Sequence, residues 1–87
     1  MTMQEAIRQR IIELMQENGL TTSELARRAG LTQSTVNGIL KGNVKNPTVQ
    51  SIYLIADAMG LSLEEFFVRR CFKNIDTEAF RRKQPLE

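Results

Sequence analysis

Gln33, Ser34, Asn37 and Lys41 fall at helical spacing inside the stretch TTSELARRAGLTQSTVNGILKG, residues 21–42, and of all the side chains in the sequence these are the best suited to chemistry. Val36, Ile39 and Leu40 take the inward positions of the same helix, so the amides and the hydroxyl are left outside, with Gly38 between them. Ordinary solvated helix faces are mostly Glu and Lys. A face of amides and hydroxyls instead carries paired donors and acceptors of the kind that match base edges in a duplex groove. The plainer alternative is a polar surface helix with no partner. Gly38 inside a helix costs roughly 1 kcal/mol relative to alanine, and two readings of it stay open: it admits a base or a backbone at close range, or it is a tolerated surface residue whose reason is packing.

Two short helices joined by a tight turn must position these residues. Thr21 is an N-cap with Glu24 placed to complete a capping box and Leu20 to staple onto Leu25, so a helix is expected over about 22–29. Gly30 stops it. Thr32 then caps again with Leu31 set to staple onto Val36, which starts the next helix at Gln33 and carries it to about Lys41. A single residue between stop and cap forces the pair to cross steeply, and that leaves one face of the second helix unburied.

The other elements supply the body. A first helix runs from about Met3 to Glu17, with Ile7, Ile11, Leu14 and Met15 as its apolar stripe and Arg8 and Arg10 off it, most simply as solvated charges, the alternative being a phosphate contact from one of them. Gly42 ends the central pair, and Asn46 before Pro47 favours extended geometry. Thr48 caps a fourth helix whose buried stripe is Val49, Ile52, Ile55, Ala56 and Met59, and Gly60 ends it. Ser62 opens a fifth with Glu65 as capping-box partner and Leu61 facing Phe66. The segment after it, RRCFKNIDTEAFRRKQPLE, carries Phe72, Ile75 and Phe80, too apolar for a free linker and too sparse for a second core. Asp76 or Thr77 is placed to cap a short helix through Lys83, and such a segment packs on its own domain or on a second copy of it. Its basic residues Arg69, Arg70, Lys73, Arg81 and Arg82 show no patterned face toward nucleic acid.

Composition bounds the function. Eighty-seven residues, 41% hydrophobic and 25% charged, fit one small globular domain. The net charge of +2 says little, but from Gly30 to Ala56 the only charged residues are Lys41 and Lys45, a local balance compatible with phosphate attraction. The absence of histidine and the single Cys71 argue against a zinc site or a disulfide framework. Without paired carboxylates at an apolar site or a glycine-rich phosphate loop, no catalytic base or nucleophile stands out, and no enzyme or cofactor is expected. The opening MTMQEAIRQR has no signal-peptide run and no segment is long enough to span a membrane, so a cytoplasmic protein is expected.

Taken together, LTTSELARRAGLTQSTVNGILKG followed by NPTVQSIYLIADAMGLSLEEFF resembles the phage-repressor and Cro type of helix-turn-helix domain, the XRE-like family, over roughly Ile7 to Phe67. The resemblance implies an all-α, five-helix lambda-repressor-like domain over about residues 1–70, followed by a tail over 71–87 that forms a short helix or a dimer contact. It also implies a third helix that reads the major groove, and a sequence-specific regulator, a repressor acting by operator occupancy as a homodimer on double-stranded DNA. Carried over by position, the base-reading residues are Gln33, Ser34, Asn37 and Gly38, and those at phosphate positions are Thr22, Lys41, Asn43, Lys45 and Asn46. Many relatives carry a longer base-contacting side chain where this chain has Gly38. Two other readings keep the fold: an antitoxin-type DNA-binding partner of a toxin, and a protein-interaction module without DNA.

Overall fold

Five helices follow one another in the computed structural model, which describes residues 1–44, 46–73 and 75–76. They are α1 (Met3–Asn18), α2 (Thr22–Ala29), α3 (Gln33–Lys41), α4 (Val49–Ala58) and α5 (Leu63–Phe66), and a single 3-10 turn, Arg70–Phe72, comes after them. There is no strand among the described residues.

One chemical device starts every helix. The hydroxyls of Thr2, Thr21, Thr32, Thr48 and Ser62 each accept the backbone N–H three residues on, at 3.0–3.1 Å. At α1, α2 and α5 a glutamate returns a bond to the cap's own N–H and completes a capping box. The cap at Thr2 was not foreseen from the sequence.

A second device ends four of them. Gly19, Gly30, Gly42 and Gly60 all adopt positive φ. In each case the next residue's N–H reaches back five positions, to Met15, Ala26, Gly38 and Ala56 respectively, at 2.9–3.0 Å. Leu20, Leu31 and Leu61 follow three of these glycines and pack on the core. Asn43 follows the fourth, and there Val44, one residue later, takes the place against the core.

The core lies between the helices, with α2 packed on both α3 and α4, α1 on α3, and α5 on α4: Ile11, Leu25, Val36, Ile55 and Phe66 are fully buried. Burying one such side chain stabilises by roughly 1.5–3 kcal/mol, so this cluster is what holds α3 in place.

Two expectations, for Arg10 and Val49, need correction, and of the two alternatives for the start of the tail the contacts favour the one on its own domain. Arg10 is not a solvated charge but 3% exposed, with Nε donating to the Phe66 carbonyl at 2.6 Å and Nη2 to that of Glu65 at 3.0 Å. Its cation also stands 5.9 Å from the Phe66 ring centroid. It thereby satisfies the last carbonyls of α5, a helix of only four residues that could not hold itself. Val49 is not in the buried stripe of α4 but 69% exposed: as the first residue of the helix it lies beyond the core's edge. The tail begins on the body itself, since Phe72 packs on the core, the Cys71 thiol faces the Ala6 carbonyl at 3.7 Å and the Asp76 N–H donates to the Met1 carbonyl at 2.9 Å. The proposed helix from Thr77 to Lys83, with Phe80, Arg81 and Arg82, lies outside the described residues.

Candidate nucleic-acid interface

The first two residues of α3, Gln33 and Ser34, are exposed, because Thr32 has already turned the chain outward before the helix starts. One turn on, Asn37 and Gly38 are half-buried, and Lys41 in the last turn is exposed again. Gln33, Ser34, Asn37, Gly38 and Lys41 line one open concavity of about 560 Å³, to which Asn43 and Val44 of the following loop contribute the far wall. The four base-reading candidates are therefore gathered on a single outward surface. Val36 and Ile39, on the opposite side of the helix, are 0% and 3% exposed.

Electrostatics favour an anion beside this surface. The helix N-termini of α3 and α4 carry no acidic residue in the first turn, so their free N–H groups and the positive end of the dipole are uncompensated. The N-terminus of α2 differs. There the Thr21 N–H donates to Glu24 at 2.9 Å, and this bond, with the Thr21 hydroxyl, holds the Glu24 carboxyl below the usual carboxylate range. Thr22, half-buried at the head of α2, consequently has only its hydroxyl and amide to offer a phosphate. Asn43 and Asn46 are exposed in the α3–α4 loop, and Lys45 between them lies outside the described residues.

Two residues of α1 reach the same end of α3. The Gln4 side-chain amide donates to the Gly42 carbonyl at 2.9 Å, and an Arg8 Nη lies 3.6 Å from where a Cβ on Gly42 would stand. Gln4 was missed in the sequence, and Arg8 was read as a solvated charge or a phosphate contact, not as a neighbour of Gly42; the partner of Gln4 is 38 residues away, beyond any local pattern.

Gly38 has a packing reason. A Cβ built there would meet Cγ2 of Val44 at 2.9 Å, closer than carbon atoms tolerate. The N–H groups of both Asn43 and Val44 donate to the Gly38 carbonyl, at 2.9 and 3.1 Å. The missing side chain is thus replaced by one from the loop.

Among the described residues no group of acids and cysteines is arranged to hold a metal ion. Comparison with known proteins agrees with the geometry. The family described as Helix-turn-helix matches residues 11–66. A Sinorhizobium fredii protein named as the HTH-type transcriptional regulator y4dJ is 34% identical over 62 residues, 71% of this chain and 79% of the relative. The SPbeta prophage-derived HTH-type transcriptional regulator YotL of Bacillus subtilis is 32% identical over 59 residues, 68% of this chain and 74% of that one. No solved structure matches.

Proposed function

The chain belongs to the XRE-like helix-turn-helix family of DNA-binding regulators, and from that premise we propose that it recognises a specific double-stranded DNA sequence and represses transcription by occupying an operator as a homodimer. The observation that carries the reading is the exposure of Gln33 and Ser34 at the amino end of a helix whose opposite face is locked in the core. The Gln33 amide suits the paired donor and acceptor of adenine, while Ser34 and Asn37 offer single hydrogen bonds to neighbouring bases. Gly38 cedes its place on this face to Val44, whose Cγ2 fills the space a side chain would take. Thr22, Lys41, Asn43, Lys45 and Asn46 hold phosphates and set the register. Operator occupancy requires no cofactor and no catalytic group, and the same reading puts the protein in the cytoplasm with its DNA. Among the described residues no helix is long and apolar enough to cross a membrane.

Selection of bound fragments from a random duplex pool tests this. An enriched palindromic motif is the expected result, with half-sites spaced by about one helical turn. A pool that enriches no motif would defeat the proposal, and a single unrepeated half-site would defeat its homodimer.

A further inference from the structure

We infer that Val44, in the loop after α3, is a base-reading residue that contacts the C5-methyl group of a thymine beside the bases met by Ser34 and Asn37. The inference deepens the DNA-binding reading above and rests on it.

Three observations converge on Val44. Its Cγ2 occupies the space next to Gly38 that a side chain on the helix would fill. It lines the same open concavity as Gln33, Ser34 and Asn37, and it is only half-buried, so part of its apolar surface faces the side where a duplex would lie. Its position is also fixed: its N–H donates to the Gly38 carbonyl at 3.1 Å.

The pattern of helix ends isolates this residue. After Gly19, Gly30 and Gly60 a leucine follows at once and packs inward. After Gly42 the apolar residue comes one position late, so the side chain meets the outer surface of its helix beside Gly38 as well as the core. A branched apolar group among amides and hydroxyls has nothing to accept from or donate to a base. The one apolar feature in the major groove is the thymine methyl.

The test uses the full chain and the duplex motif selected above, with each thymine replaced in turn by deoxyuridine, which removes only the methyl. At one thymine per half-site the unmodified protein is expected to bind about fourfold more weakly, the fold-change that corresponds to one buried methyl group. The Val44→Ala variant is expected to lose this sensitivity at that position alone, to less than about twofold, while keeping its response at other positions. Should V44A prove unfolded by circular dichroism, V44T, which keeps the shape and exchanges a methyl for a hydroxyl, reads the same contact. Specific binding in which no deoxyuridine penalty depends on residue 44 overturns the inference and leaves the DNA-binding reading standing. Failure to select any motif overturns both.

Discussion

An amide that reads a base and a cation that holds a phosphate fail in different ways when removed. Gln33→Ala is expected to cost about 1 to 3 kcal/mol on the selected site and little on random duplex, because the lost bonds exist only with the right base. Anisotropy titrations on both duplexes check it, and equal losses would count against base reading. Lys45→Ala is expected to weaken binding to all sequences alike and to lower the slope of log affinity against log salt by about 1. Arg10 belongs to neither class. Arg10→Met keeps the apolar stem but takes the donor from the Phe66 carbonyl at the end of α5, while the Glu65 carbonyl keeps the Val68 N–H. A loss of about 1.5 to 3 kcal/mol in urea unfolding is expected, with base preference unchanged in the folded fraction.

Gly38 and Val44 meet as parts of two elements, a helix and its exit loop, and their coupling is measurable there. Gly38→Ala alone gains helix propensity of about 1 kcal/mol but forces its new methyl against Val44 Cγ2, at 2.9 Å before relaxation. The gain is expected to appear only in the V44A background, so thermal unfolding of the two singles and the double should show clear non-additivity. The helix starts make a second prediction. Bonds from the N–H groups and hydroxyls of Thr2 and Thr21 lower the pKa of the Glu5 and Glu24 carboxyls. Their stabilisation is therefore complete above the ordinary carboxylate range and is lost as pH falls through the lowered native values. Glu24→Gln, which keeps a hydrogen bond and drops the charge, is expected to flatten the acid limb of stability against pH. The starts at Thr21, Thr32, Thr48 and Ser62 were legible in the sequence because a cap and its partner lie within three residues of each other, and the glycine stops because the residue type itself marks them; the start at Thr2 was not read. Arg10 and Gln4 were not, since their partners stand 56 and 38 residues away and nothing in the local spacing announces them. Val49 misled for the opposite reason: it continues the apolar period of α4 at a point where the core has already ended.

At the scale of the molecule, residues 67–72, just after α5, are part of the body. Phe67 meets Phe66 and Phe72 edge-on, with centroids 5.0 and 4.8 Å apart, and Arg69 lies 3.9 and 4.0 Å from carboxylate oxygens of Glu13 and Glu17 on α1. The aromatic cluster matters more, because exposed ion pairs contribute about 0–1 kcal/mol. Burial also pushes the Cys71 thiol up, so it stays protonated against α1 at neutral pH. Helix α3 itself is fastened at both extremities: the Thr32 hydroxyl secures its first turn and the Gln4 amide grips the carbonyl that follows its last. On the proposed reading such a helix would meet DNA already in shape, with little freedom left to surrender on docking. Q4A would loosen only the trailing end, so association with every duplex should slow or weaken uniformly while the order of preferred sites stays the same.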